Sequence, residues 1–225
     1  MMKLIQYTVA ASLAFSALTH AATIEWRKPQ TISDAMSDIE TEGEVVFAID
    51  IGGKGGSFTG KNGIDVLFDG LIANPGGEGT SLGDFSTRFG DDADARHFLG
   101  GTDSDYARII DLGFYGGKKV QGGPEAFQEN KDTVTFSNLV VGKKYLIQCW
   151  VQDAERDPRF VTVIDGKVPL ILDVDPDPDV NYGQFVVGVF IADDAKQSIS
   201  IMGTVNDIFQ LGRSQLNAIQ LRMIE

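Results

Sequence analysis

Three side chains that suit sugar recognition, Gln148, Trp150 and Gln152, recur at every second position of one stretch. They alternate with apolar residues, namely Tyr145, Ile147, Cys149 and Val151. Such alternation predicts a β-strand with two different faces. If the apolar set faces a core, an indole and two amides share the other face, where a pyranose would stack on the indole and bond the amides. The alternative is that Trp150 is packed beneath a covering loop or helical turn.

Charged side chains follow this row directly. Asp153, Arg156 and Arg159 are able to hydrogen-bond sugar hydroxyls or a uronate carboxylate. We therefore expect them to extend the same carbohydrate-binding site.

A second candidate site is acidic. Asp173, Asp175, Asp177 and Asp179 alternate with valine and proline, which places four carboxylates on one side of an extended segment. Closely spaced oxygen ligands are what calcium prefers, although the glycine-hinged loop of an EF-hand is missing. The segment is therefore predicted to be either a calcium site or a solvated acidic loop.

Two other patterns resemble catalytic or nucleotide-binding motifs and fall short of them. The run 55–62, Gly-Gly-Ser-Phe-Thr-Gly-Lys-Asn, lacks the Ser or Thr that should follow the lysine of a phosphate-binding loop, so it predicts a glycine-rich hairpin. His97 is the one base that a Ser-His-acid set could use in the mature chain, and no Gly-x-Ser-x-Gly elbow occurs. No catalytic residue is assigned, but a polysaccharide lyase or glycoside hydrolase stays open, because paired carboxylates leave no spacing signature.

Composition excludes several classes of function. The 225 residues carry a formal net charge of −13, which repels phosphate backbones and anionic lipid. Two histidines and one cysteine leave no material for a multi-histidine zinc site or an intramolecular disulfide. We therefore expect neither nucleic acid nor a membrane as partner, and a fold held by packing with calcium as the candidate cofactor.

The first 21 residues are typical of an export signal. Lys3 supplies a positive start, an apolar run over 4–18 follows, and Thr19-His20-Ala21 ends it with small residues at the positions a signal peptidase inspects. The run is shorter than the ~20 residues that cross a bilayer. Cleavage after Ala21 is predicted to release residues 22–225 as one secreted or periplasmic domain.

The remaining chain is rich in strand patterns. About nine strands are expected from period-two alternation and from turn clusters between apolar runs. Two windows, Thr31–Thr41 and Pro124–Asn130, favour short helical turns, and Asn74–Thr102 is expected to be an irregular excursion with one short strand near Phe85–Phe89. The predicted strands are Val45–Ile51, Ile64–Phe68, Ala107–Leu112, Thr133–Phe136, Tyr145–Gln152, Phe160–Ile164, Gln184–Ala192, Ser198–Met202 and Ala218–Met223. The fold class is all-β, a single jelly-roll β-sandwich.

Four stretches carry a family resemblance: 139–151, 159–167, 198–201 and 216–221, with Gly183-Gln184-Phe185-Val186-Val187-Gly188 before the last strand pair. They resemble malectin-like and galactose-binding-like β-sandwich domains, and uncharacterised secreted sandwich domains frequent in planctomycete and verrucomicrobial bacteria. The resemblance implies a jelly roll whose relatives often bind carbohydrate through aromatics and acids on the loops at one end. Tyr115 and Tyr182 are the nearest candidates for such aromatics.

Together these patterns predict an exported, non-catalytic module that binds carbohydrate or associates with the cell surface. Its partner would be a polysaccharide or another glycan. A structural or adhesive protein–protein module is the first alternative, and a small polysaccharide lyase or glycoside hydrolase is the second.

Overall fold

The computed structural model describes residues 22–71, 80–82, 85–88, 94–97, 106, 112–115, 131–152, 160–171, 183–205, 208–212 and 215–225. The predicted export signal lies outside these residues and stays a prediction. In the described ranges, none of the helices has the length and apolarity needed to span a membrane.

Strands dominate the described residues, and the two helical elements are single turns. The N-terminal third holds β1 (Glu25–Trp26), β2 (Gln30–Thr31), α1 (Ala35–Asp38), β3 (Glu44–Ile51), β4 (Gly55–Thr59), a 3₁₀ turn (Lys61–Gly63) and β5 (Asp65–Leu71). The middle holds β6 (Thr80–Leu82), β7 (Phe85–Arg88), β8 (Asp94–His97), β9 (Leu112–Tyr115), β10 (Lys131–Phe136) and β11 (Lys144–Val151). The last part holds β12 (Phe160–Ile164), β13 (Val168–Ile171), β14 (Gln184–Ile191), β15 (Gln197–Val205), β16 (Ile208–Gly212), β17 (Gln215–Leu216) and β18 (Ala218–Met223).

These strands form two large sheets and a small one. Sheet A has eight strands in the order β1-β14-β11-β18-β3-β5-β4, with β2 also paired to β14. Sheet B has seven in the order β13-β12-β15-β10-β7-β6, with β16 on β15, and a third sheet has the order β17-β9-β8. The main core lies between sheets A and B and includes Ile49, Ile147 and Ile219 from A and Val134, Phe136 and Ile201 from B. The predicted all-β sandwich with one or two short helical turns is confirmed.

Strand positions follow the predicted pattern where a strand is long. The bounds of β12 and β18 agree with the prediction, and β3, β10, β11, β14 and β15 each extend by a few residues or fewer. The excursion 74–102 was expected to hold one strand and holds three, β6, β7 and β8. The predicted strand Ala107–Leu112 and helical window Pro124–Asn130 fall mostly or wholly outside the described residues.

The glycine-rich hairpin is confirmed by the antiparallel pairing of β4 with β5. Gly55 has a φ of +73°, and a Cβ there would lie 2.2 Å from the Phe68 carbonyl oxygen. Gly53 lies against the buried Asp50, whose Oδ2 accepts the Gly55 N–H at 2.8 Å. The glycines therefore serve a tight turn over a carboxylate, and no helix follows to bind a phosphate.

The sandwich has two unlike ends. At the turn end, residues 139–143 and 192–196 form compact turns, and the Gly142 N–H donates to the Ala192 carbonyl at 2.8 Å. At the loop end, β11 finishes beside the start of β14, with Val151 opposite Gln184. The start of β12 joins them there, because the Ile171 N–H, on the strand paired with β12, donates to Gln184 Oε1 at 2.9 Å.

Candidate functional site

The predicted sugar-binding row is buried. Gln148, Trp150 and Gln152 are 0%, 1% and 2% exposed. The prediction that this row forms an open binding face is therefore wrong, and the alternative, a covered Trp150, is the one that the structure shows. The reason is that both faces of β11 are occupied: one faces sheet B and the other faces a layer that covers sheet A.

This covering layer is built from the chain segment 32–43 and from Tyr106. It encloses a second hydrophobic core on the outer face of sheet A, in which Trp150 packs edge-on against Phe68 with ring centroids 5.8 Å apart. The other members of this core are Ile32, Ile39, Ala48, Phe58, Val66, Leu146, Phe185, Val187 and Ala218. The indole thus contributes packing, which is worth several times more to stability than an exposed ring would be.

The polar edge of Trp150 is also used inside the protein. Its Nε1–H donates to the Tyr106 hydroxyl at 2.8 Å, and that hydroxyl is hydrogen-bonded to the Asp38 carboxylate. Burial, and then the nearby Asp38 charge, raise the pKa of Tyr106 well above its usual value. Tyr106 therefore stays protonated and bridges the indole to the covering segment.

The Gln148 amide binds main chain where sugar was expected. Its Nε2 donates to the Asp38 carbonyl at 2.7 Å and its Oε1 accepts the Glu40 N–H at 3.0 Å. Gln220 lies opposite Gln148 in the sheet and donates both to Gln148 Oε1 at 2.7 Å and to the Glu40 carbonyl at 3.0 Å. The hydrogen-bonding capacity of the amides is spent on the chain itself.

Arg222 completes this arrangement at the start of β3. Its Nε donates to the Glu42 carbonyl at 2.7 Å, and one Nη2 donates to the carbonyls of Thr41 at 3.0 Å and Gly43 at 2.8 Å. Burial lowers the pKa of Arg222 from its usual value, although the Glu40 charge opposes this shift. Gln148, Gln220 and Arg222 are here called the main-chain clasp, because they hold segment 38–43 through its backbone.

The clasp also explains why the predicted helical window Thr31–Thr41 yields only α1. Asp34 caps that turn by accepting the Ser37 N–H at 3.0 Å, and Ile39 is already extended with ψ at 115°. The carbonyls that would continue the helix are bonded to the clasp or, for Ile39, to the Lys61 N–H at 3.0 Å. Tertiary hydrogen bonds therefore override the local helical pattern.

Gln152 belongs to a separate polar group at the loop end. Its N–H donates to Asn217 Oδ1 at 2.8 Å, and its carbonyl accepts both from Asn217 Nδ2 at 3.1 Å and from Gln215 Nε2. The Gln215 N–H reaches sheet B by donating to Thr162 Oγ1 at 3.3 Å. Gln152, Gln215 and Asn217, which we call the amide floor, are buried and tie the two sheets together at this end. Gln215 and Asn217 were missed in the sequence because isolated amides carry no periodicity.

Most other predicted site residues lie outside the described residues. These are Asp153, Arg156, Arg159, Tyr182, Asp173, Asp175, Asp177 and Asp179. Tyr115 is described as the last residue of β9, opposite Gln215 of the amide floor. The backbone of Gly183, which directly follows Tyr182, lies so close to β11 that a Cβ there would be 1.9 Å from the Val151 carbonyl oxygen.

The calcium site on Asp173–Asp179 stays a prediction. Within the described residues, no three His, Cys, Asp or Glu side chains come together as a metal site would require. If the aspartates bind calcium, the melting temperature will rise with calcium concentration as mass action demands. Changing Asp175 and Asp177 to Asn will abolish that rise, and an unchanged melting temperature in millimolar calcium will dismiss the site.

Comparisons with known proteins return little. No protein-family model matches the chain, and no curated protein matches it. A solved structure, "The structure of CBM51-2 in complex with GlcNAc and INT domains from Clostridium perfringens ZmpB", is similar at 12% sequence identity with a TM-score of 0.27. That similarity covers 88% of this chain and 41% of the clostridial chain, so the present chain spans under half of its length. The fold is therefore assigned from the strand pairing itself, as an all-β sandwich.

Proposed function

We propose that this protein is an exported, non-catalytic module that binds a glycan at its loop end. Its predicted binding residues are Asp153, Arg156, Arg159, Tyr115 and Tyr182. Gln148 and Trp150 are withdrawn from that set because they are buried, and Gln152 contributes from beneath as part of the amide floor. The sequence resemblance to malectin-like and galactose-binding-like sandwiches, in which loops at one end bind carbohydrate, supports the proposal.

The observation that carries the proposal is the register of the strands at the loop end. Asp153 directly follows Gln152, and Tyr182 directly precedes Gly183, whose backbone lies against Gln152. Arg159 directly precedes Phe160, the first residue of β12, which is opposite Val205. Three candidate residues distant in sequence are thus attached to neighbouring points of one sheet end.

The rigidity beneath these attachment points also supports a binding role. The amide floor fixes the end of β11, the start of β18 and β12 through side-chain hydrogen bonds. Binding side chains carried on a pre-organised scaffold lose less entropy when a ligand is bound. A floor of this kind is what a loop-borne sugar site needs.

We expect residues 22–225 to bind glycans on an array and to be retained on gels of the corresponding polysaccharide. Arg156→Ala and Tyr182→Ala should each weaken binding at least about fivefold, because an aromatic or charge-assisted contact is worth 1 kcal/mol or more. Lys143→Ala, at the turn end, is the matched control and should bind as the wild type does. Running the array with calcium and with chelator separates a metal-dependent site from a metal-free one.

The proposal fails if no glycan is retained, or if Lys143→Ala weakens binding as much as the loop-end variants do. Both outcomes would favour the adhesive alternative, for which the turn end gives a specific observation. Val140, Val141 and Ile191 are 53%, 61% and 61% exposed there. Such a module would associate with itself or a partner protein through that apolar surface, and sedimentation velocity across a concentration series would detect self-association.

An acid beside a tyrosine was the sign expected of a lyase or hydrolase. Asp38 and Tyr106 form such a pair, but each is only 3% exposed and both are engaged by protein groups. This pair has no open groove for a substrate. Its contacts support a structural role.

A further inference from the structure

We propose that the bond between Ala21 and Ala22 can be cleaved only before the N-terminal arm, residues 22–32, docks on sheet A. Removal of the export signal would then have to precede completion of the fold. This inference goes beyond glycan binding and does not depend on it; it rests on the predicted cleavage position and on how the arm is packed.

The arm is held from its first residue. Ala22 is partly buried and packs against the main core, and Ile24 is 3% exposed within that core. Glu25 and Trp26 pair with Val189 and Gly188 as β1. No free linker therefore separates the predicted cleavage point from the folded body.

The docking continues along the whole edge of β14. The Arg27 N–H donates to the Val187 carbonyl at 2.8 Å, β2 pairs with Gln184 and Phe185, and the Ile32 N–H donates to the Gly183 carbonyl at 3.0 Å. The arm thus covers the edge strand of sheet A. Pulling residues 22–24 outward requires breaking the first of these pairings and exposing Ile24.

One glycine makes this docking possible. A Cβ at Gly188 would lie 2.6 Å from Ile24 Cγ2 and 2.6 Å from Trp26 Cε3. The two side chains therefore pack directly over the bare backbone of β14. Any larger residue at this position would push the start of the arm away from the sheet.

A peptidase cannot act on the docked arm. It must hold several residues on both sides of the scissile bond in an extended form within its own cleft, while water adds across the bond to leave a carboxylate on Ala21 and an amine on Ala22. Residues 22–24 cannot occupy that cleft and the core of the sandwich together. Cleavage of folded protein is therefore limited by the rare local opening of the arm.

The test compares cleavage of the full-length chain, residues 1–225, by purified signal peptidase. The refolded chain in mild detergent and the same chain kept unfolded until enzyme is added are followed by N-terminal sequencing and mass. We expect the refolded chain to be cut at least about tenfold more slowly, since an opening free energy of 1.4 kcal/mol already gives that factor. Fast cleavage after Ala21 in both samples would overturn the proposal, and so would no cleavage there in the unfolded chain.

A remote variant isolates the role of the arm, because it leaves the cleavage sequence unchanged. Gly188→Ala should speed cleavage of the refolded chain toward the unfolded rate. Gly142→Ala is the matched control: it substitutes a glycine with φ of +85° at the turn end, where a Cβ meets nothing within 4 Å, and should be cut as slowly as the wild type. Trp26→Ala replaces Gly188→Ala if the latter does not refold. Equal rates for the arm variant and Gly142→Ala would contradict the proposal.

Discussion

Replacing Trp150 with alanine is expected to lower the free energy of unfolding by about 3 to 5 kcal/mol, the range for deleting a large buried ring. The ring is 1% exposed and packs between Phe68 and Phe185 in the second core. Its removal also leaves the Tyr106 hydroxyl without the donor that bonds it at 2.8 Å. Urea denaturation followed by circular dichroism measures the change, as a shift in midpoint with an unchanged slope.

Trp150→Phe separates the two contributions. It retains most of the ring packing and removes the indole N–H, so a smaller loss of about 1 to 3 kcal/mol is expected. Neither variant should alter glycan binding by residues that remain folded. A Trp150→Ala protein of wild-type stability that no longer binds glycan would show that the ring is an exposed platform, contrary to its burial here.

Replacing Arg222 with methionine is expected to cost about 3 kcal/mol or more, because it strands buried polar groups. Three consecutive main-chain carbonyls, those of Thr41, Glu42 and Gly43, accept hydrogen bonds from this one guanidinium. Methionine keeps much of the side-chain volume, so the loss reports the hydrogen bonds and not a cavity. The same denaturation experiment measures it.

Arg27→Met is the matched control for this second variant. The Arg27 side chain is 49% exposed and lies 3.5 Å from Glu40, so its removal should cost at most about 1 kcal/mol, as exposed ion pairs do. Equal losses for Arg222→Met and Arg27→Met would mean that the main-chain clasp does not hold segment 38–43.

The long strands were predictable because their alternation reflects real faces. Residues Phe160–Ile164 and Ala218–Met223 are strands at the bounds that period two indicates. β1 and β2 were missed because two residues carry no period. β13 was missed too, and its Pro169 is compatible with the edge of sheet B, where a missing N–H costs little.

The role of the amide row was not predictable from its own strand. Gln148 presents one acceptor and two donors, which match a sugar hydroxyl and a peptide group equally well. What decides between them is segment 38–43, about a hundred residues earlier in the chain, whose carbonyl of Asp38 lies 2.7 Å from Gln148 Nε2. The available signal was in the last strand, where Gln220 and Arg222 repeat the polar alternation at neighbouring positions. Two adjacent polar rows on otherwise apolar strands indicate a bound partner without naming it.

The central claim, that glycan binds at the loop end, is tested most directly by nuclear magnetic resonance. Uniformly labelled residues 22–225 would be titrated with soluble oligosaccharides of the type retained on the array. We predict that the backbone amides of Gln152, Gly183 and Gln184 and the side-chain amide of Gln215 shift, while those of Gln148 and Gln220 stay fixed. Shifts confined to the turn end around Val141 and Gly142, or to the segment held by the main-chain clasp, would contradict the account.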